Sequence, residues 1–380
     1  MKNFFFNNGF LSLLLAAILV PALSSCDDVD EEEILSPSGS LPPAQMLSVS
    51  PESVARMLSE IPISLDQVLE VKEGVDASSN DGYDEEYLFS RILSSPVKGV
   101  VGTSLGEMIR EYAASFLTTR ASGFIEELVD SKLQIYWPYS DSWDKETIPV
   151  ITFIPDYSRD RNVGFGREIL PDGSWIVKEV MVDEEYAMAH PVWVVNWNDD
   201  TGAITPQVLE KMLPDVLETK GATNFKTLRL KEFKAHRQYD SWFSGGSEFY
   251  FKIGSLKAFT ADVVSDLKMY NPEITDLMIK VKRGQVGKAM RYNAILVSDW
   301  SDQLSDCAFL IHEDDGGKMT TWKSSGTVKI KSKSYGFEVE IPYHRNDDIV
   351  WRGKLSSNYL TKYNGVSGRM GDVSVTFTFD

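Results

Sequence analysis

Two cysteines in 380 residues leave almost nothing for covalent bracing: Cys26 and Cys307 could form one disulfide at most, so a disulfide-stapled scaffold is excluded. Histidine is nearly as scarce. His190, His236, His312 and His344 are far apart in sequence and none sits in an H-E-x-x-H pattern. A catalytic zinc ion wants converging His and carboxylate ligands with one position left open, and no such spacing is present. Basic residues are also short, with 38 Lys and Arg against 56 Asp and Glu, a net charge of −18. That deficit lies wholly in the front, where residues 26–245 carry 19 basic and 39 acidic residues while residues 246–380 carry 18 and 17. Nucleic-acid binding needs phosphate-neutralising clusters, so this balance argues against it, and against adhesion to anionic headgroups. No apolar run approaches the roughly 20 residues that span a bilayer. No repeat with a period of 20 to 50 residues is visible.

What is present begins at the N-terminus. Lys2 and the apolar stretch Phe10 to Val20 have the proportions of a secretory signal over residues 1–25. The stretch ends in Leu23-Ser24-Ser25-Cys26, an aliphatic residue, two small ones and cysteine, which resembles the lipobox of bacterial lipoproteins. The resemblance implies acylation of Cys26 on sulfur, with Cys26 as the first residue of the mature chain, anchored to a membrane by several acyl chains. An ordinary secreted protein with an incidental cysteine is the alternative. Asp27, Asp28, Asp30, Glu31, Glu32 and Glu33 follow, then SPSGSLPP from Ser36. Self-repelling charge and a Pro/Ser stretch make residues 26–45 an extended tether. Acids directly after the lipidated cysteine are similar to the surface-export signal of Bacteroidetes lipoproteins, which implies the outer membrane and its exterior face.

The remaining chain, 43% apolar and 11% aromatic overall, is long enough for two or three domains. Ser50-Pro51-Glu52 reads as an N-cap with proline at the first helical position, followed by Val54, Met57, Leu58 and Ile61 at helical spacing. Leu105, Met108, Ile109, Tyr112, Phe116 and Leu117 mark a second amphipathic helix; Phe124, Ile125, Leu128, Val129 and Leu133 mark a third. Residues 46–135 are therefore expected to be helical. Strand patterns at 149–154, 175–182 and 192–197, with a helix capped by Thr205-Pro206, make residues 136–245 mixed α and β. From Gly246 strict alternation dominates, as in Val328, Ile330, Phe337, Val339 and Ile341, and again in Val373, Val375, Phe377 and Phe379. One wet face and one dry face mark antiparallel sheets, so residues 246–380 are expected to form a β-sandwich. The fold class expected is thus α+β and multidomain.

Five segments carry a wider resemblance: GYDEEYLF from Gly82, QIYWPYSDSWD from Gln134, VDEEYAMAHPVWVVN from Val182, YDSWFSGGSEF from Tyr239 and WKSSGTVKIKSKSYGFEVEIPY from Trp322. They are similar to segments of Bacteroidetes surface lipoproteins of unassigned function, a group that supplies a compartment and no catalytic residue. The last 135 residues also resemble C2-type sandwiches, through strand order and LIHEDDGG at Leu310–Gly317.

Candidate chemistry is limited. Gly102-Thr103-Ser104-Leu105-Gly106 matches the nucleophile-elbow pattern after a short apolar run, Val97 to Val101, but the strand–helix alternation of a hydrolase is missing afterwards, which leaves Ser104 as a helix cap or turn residue. The four histidines are expected to be partly buried and satisfied by backbone, and Cys307 to be a small core residue. If the late strands run up and down in turn, the loops at Asp314-Asp315 and Asp347-Asp348 share one rim, with Asp299, Asp302 and Asp306 at the other end. Four carboxylates there suit calcium, which takes six to eight oxygens, or are simply solvated loop acids. Tyr136, Trp137, Tyr139 and Trp143, with Asp141 and Asp144, have the composition of a glycan platform, aromatic faces beside hydroxyl acceptors; a core role fits the aromatics equally. Trp193 and Trp197 share one strand.

Two function classes follow. One is a lipid-anchored, non-enzymatic surface module that binds a glycan, a peptide or an envelope partner, with calcium as the candidate cofactor. The other is an extracellular hydrolase working through carboxylates such as Asp141, Asp144 or Glu146, which needs two carboxyls about 5–9.5 Å apart across a cleft. A purely structural surface protein would have neither feature.

Overall fold

The computed structural model describes residues 48–94, 103–117, 121–155, 159–200, 202–212 and 225–380. The signal, Cys26 and the tether lie outside these residues, as does the run Val97 to Val101. Pro42–Asp380 form one compact unit. The chain is α+β, with N-terminal helices followed by extensive β-sheet. No helix among the described residues is long and apolar enough to cross a membrane.

Helix α1, Pro51–Glu60, starts as its sequence dictates: the Ser50 side chain accepts from the Ser53 amide, Ser53 returns the bond, and Pro51 opens the first turn. Its apolar stripe, Val54, Met57, Leu58, is buried. Helices α2 (Leu65–Asn80), α3 (Phe89–Ser94), α4 (Leu105–Leu117) and α5 (Ala121–Asp130) complete the helical layer. They cover one face of a six-stranded sheet ordered β1 (Glu86–Leu88), β2 (Leu133–Tyr136), β6 (Val192–Trp197), β3 (Val150–Phe153), β4 (Arg161–Ile169) and β5 (Trp175–Asp183). Among the described residues only β3 and β6 pair in parallel. Leu133, which extends the apolar stripe of α5 in sequence, instead opens β2.

Strand β6 explains why Val192–Val195 reads as an unbroken apolar run. Trp193 and Val195 join the core beneath the helices, while Val192 and Val194 pack on the other face with Trp242 and Phe243. A strand covered on both faces needs no alternation. Short helices α6 (Glu184–Ala189) and α7 (Pro206–Met212) flank this region, and Thr205 Oγ1 caps α7 by accepting from the Val208 amide.

The second set of strands begins at Phe225, upstream of the boundary expected at residue 246. Strand β7 (Phe225–Ala235) pairs with β10 (Met290–Ser301) and β16 (Val373–Phe379), with β15 (Ser367–Met370) at the edge. A further sheet runs β13 (Lys333–His344), β12 (Met319–Ile330), β11 (Leu304–Glu313), β8 (Ser247–Ser255), β9 (Glu273–Val281), and β14 (Asp348–Ser356) also pairs with β11. Helix α8 (Ser357–Lys362) packs beside β14. Residues of both sheets, including Phe233, Phe251, Phe309 and Phe377, belong to one apolar cluster. Cys307 is a free, buried member of it, as its sequence suggests.

The connector of residues 236–246 links β7 to β8, and Gly246 lets it pass close to β9. A Cβ there would sit 2.3 Å from the Val281 carbonyl oxygen. Backbone cannot yield as a side chain tip can, so Gly246→Ala is expected to cost about 1–3 kcal/mol through overpacking. Equilibrium urea unfolding reads that loss, and an unchanged midpoint would mean the connector is free to move away.

Candidate cation site

The aromatic and acidic residues of 136–144 do not form a binding platform. Trp137 is 1% exposed and packs edge-on against Trp143 and Trp193, with ring centroids 5.3 and 5.9 Å away. Tyr136 is fully buried on the opposite face of the same strand. Tyr139 is half-buried and donates its hydroxyl to Glu184 at 2.8 Å. Asp141 is exposed, 3.5 Å from Lys72, and Asp144 accepts the Glu146 and Thr147 amides in a surface turn. The rings carry the helix–sheet core and the acids stay outside it, because a prolyl aromatic cluster gains more by burying area than by facing water. Trp193 is buried as well, and only Trp197, at the end of β6, is substantially exposed.

Ser104 is the cap of α4: its hydroxyl accepts the Glu107 amide at 3.2 Å and its own amide donates to Glu107 at 3.0 Å. Of the histidines, His190 is exposed and packs against Tyr186, and His236 pairs with the Ser374 hydroxyl at 2.8 Å. Neither ring has the backbone partner expected of it, and the other two join the acidic rim.

That rim assembles as the strand order requires, with the Asp315 amide donating to Asp347 at 3.2 Å and the Arg345 amide to the Lys318 carbonyl. Its carboxylates are already occupied, however. Asp314 accepts the Gly316 amide at 2.8 Å and His344 Nδ1 at 2.9 Å. Asp347 accepts the His344 amide at 2.7 Å as well as that of Asp315. His312 Nδ1 lies 2.8 Å from Asp347 Oδ2 but out of line, so neither of its ring nitrogens has a hydrogen bond. Burial pushes that imidazole down to about 3, which keeps it neutral. Asp315 and Asp348 are exposed. At the far end, Asp302 lies 4.0 Å from Lys226 and Asp306 3.5 Å from Lys354.

Directly beneath this rim is a group that sequence reasoning missed. Asp240 of the connector, Glu248 at the start of β8 and Glu313 at the end of β11 bring one oxygen each to within 4.8 Å of one another. Glu313 is 0% and Glu248 2% exposed. Both Glu313 oxygens, Glu248 Oε2 and Asp240 Oδ2 are sealed from solvent and lack an N–H donor, and in the empty site the Glu313 carboxyl is held against Asp240 and Ser247. Glu248 Oε1 meets Lys280, its cross-strand partner on β9. Burial, reinforced by the neighbouring Asp240, pushes the Glu313 carboxyl up to about 10, and burial also raises Asp240. A cavity of about 290 Å³ opens above, lined by Asp199, Asp240, Glu248, Asp314, Asp315 and His344 among others.

A sealed carboxylate without a donor is costly, and several within one site are costlier still. A cation removes the cost. Two oxygens on opposite sides of an ion bound at about 2.4 Å stand about 4.8 Å apart, and the oxygens of this trio all lie within that distance of one another. The donors are all oxygen, the preference of a hard ion, whereas the rim group of Asp314, His344 and Asp347 has an imidazole and is self-satisfied. The signal in sequence was faint: Glu248 and Glu313 each interrupt or end an otherwise apolar strand run, SEFYF and CAFLIHE, and a charge on a strand buried on both faces requires a partner. No protein-family model, curated protein or solved structure matches this chain.

Proposed function

We propose that this is a lipid-anchored, outer-membrane surface protein that binds a glycan, peptide or envelope partner through a calcium ion held by Asp240, Glu248 and Glu313. The observation that carries the reading is the set of sealed carboxyl oxygens on those three side chains, two of which, Asp240 and Glu248, line an acidic cavity. With Glu248 Oε1 facing Lys280, the three carboxylates offer up to five oxygens, and water or ligand hydroxyls entering from the cavity complete the six to eight that calcium takes. In this reading the two late sheets are a C2-like sandwich whose rim carries the ion. An acylated Cys26 with its acidic tether would hold that rim outside the cell, where calcium is plentiful. Asp199, Asp314 and Asp315 keep the cavity wall acidic, which favours a hydroxyl-rich or cationic ligand over nucleic acid or an anionic headgroup.

The hydrolase alternative is less well supported. Asp144 and Glu146 stand in an exposed turn, and Asp141 is exposed beside Lys72. The Asp240, Glu248 and Glu313 oxygens, within 4.8 Å, are closer than a glycosidase pair flanking a sugar.

Calorimetric titration of the detergent-solubilised full chain with calcium chloride tests the reading. Wild type is expected to bind, and Glu313→Gln, which keeps the shape but cannot ionise to a ligating carboxylate, is expected to weaken binding at least tenfold. Absence of heat and of any calcium-dependent rise in melting temperature for wild type would leave a structural surface protein.

A further inference from the structure

The trio is not the only cation position in this basin. On its far side Glu248 is shared with a second group, Asp199, Asp200 and Glu248, whose oxygens also lie within 4.8 Å of one another. That position is already filled from within the chain. Lys280 reaches it from β9, directly opposite Glu248 in the ladder, and its side chain is 2% exposed. Its ammonium contacts Glu248, lies 3.7 Å from Asp200 Oδ2, and 3.8 Å from both Asp84 Oδ2 and Asp199 Oδ1. Burial opposes that charge, but Asp199, Asp200 and Asp84 outweigh it and hold the amine well above the ordinary lysine value.

We infer that Lys280 is a tethered cation occupying the second of two adjoining divalent-cation positions that share Glu248, so that the protein takes one external ion where its carboxylates would otherwise hold two. The inference rests on the cation reading above and deepens it, because it sets the stoichiometry and the charge of that same site.

Three features support the assignment. The two positions have the same chemistry, three carboxylates drawn together, and differ in that one contains an ammonium. The filled position still carries an unsatisfied acceptor, since Asp200 Oδ2 is sealed and lacks a hydrogen bond, as a carboxylate does when a single positive point charge stands where a coordinating ion would. The ammonium makes its nearest approach to Glu248 at Oε1, and Oε2, which has no hydrogen bond, is available to an ion on the trio side. A lysine there has a structural consequence that a metal would not supply. Asp84 precedes β1 and Asp199 and Asp200 follow β6, so Lys280 ties the first sheet to β8 and β9 whether or not calcium is present. The Asp84 side chain adds to that tie by accepting the Gly246 amide at 2.7 Å.

Lys280→Gln removes the charge at similar length and vacates the position. Calcium titration of the full chain is expected to give one ion for wild type, two for Lys280→Gln, and one for Lys280→Gln combined with Glu313→Gln. Should Lys280→Gln be unfolded without calcium, millimolar calcium chloride is expected to refold it, whereas sodium chloride of equal ionic strength is not. One ion in both wild type and Lys280→Gln, or a variant that calcium fails to refold, overturns the tethered-cation assignment and leaves the Asp240 site standing. No ion in wild type but one in Lys280→Gln retires the Asp240 site and keeps the lysine-filled position. Two ions in wild type overturn the assignment, because Lys280 would then exclude nothing.

Discussion

Trp137→Ala is expected to destabilise the protein by about 3–5 kcal/mol, the usual cost of deleting a fully buried aromatic ring. The ring sits edge-on to both Trp143 and Trp193, interplanar angles 62° and 71°, inside the cluster where the helices meet the first sheet. Alanine leaves a cavity that two rigid indoles cannot close, so the cavity term adds to the lost transfer energy. Trp197→Ala, at an exposed strand end, is expected to stay within about 0.5 kcal/mol of wild type. Urea unfolding of the two variants makes the comparison. Equal, small effects would mean that the Trp137 ring is available at the surface and would restore the glycan platform. Calcium binding is expected to survive both substitutions, since neither residue touches the acidic basin.

The second large effect is in solution conditions. In the empty site the Glu313 carboxyl is pushed up to about 10, so it carries a proton throughout the neutral range. A cation binds the carboxylate and must expel that proton. Calcium affinity is therefore expected to rise about tenfold per pH unit below that value, roughly 100-fold from pH 6 to pH 8. Calorimetry in buffers of different ionisation enthalpy counts the protons released, and an affinity flat across this range would place the ion elsewhere. Calcium-free stability moves the other way. The folded protein holds a proton on Glu313 that the unfolded chain loses near pH 4.5, so the folded state binds more protons between about pH 4.5 and 10. Stability without calcium is accordingly lowered by this group as pH rises through that window. His312 acts on the acid side. Its folded value, about 3, is below the unfolded 6.5, so its contribution is lost as pH falls through that interval.

The elements legible in the sequence are those whose cause is local. Ser50 and Pro51 specify the start of α1 through the only donors and dihedrals available there, and the alternation from Val328 to Ile341 specifies β12 and β13 because each residue need only choose between a wet and a dry face. Strand β4 lacked that signature, since Gly164 and Gly166 interrupt its apolar pattern, and β7 was grouped with the wrong neighbours because its partners β10 and β16 lie about 60 and 140 residues downstream. The rim was half legible: Asp314 and Asp347 do meet, but the amides and the histidine that occupy them belong to turn geometry.

The sequence by itself determined the charge imbalance, the lack of covalent bracing, and the helices and hairpins, since these depend on composition or on residues a few positions apart. Tertiary structure decided which aromatics are core and which carboxylates lack partners. An indole or a glutamate reads the same whether buried or exposed, and Asp240, Glu248, Lys280 and Glu313 become one site only when the connector, β8, β9 and β11 converge. Burial then turns ordinary acids into a cation's ligands, because a charge withdrawn from water must find its counter-charge within the fold.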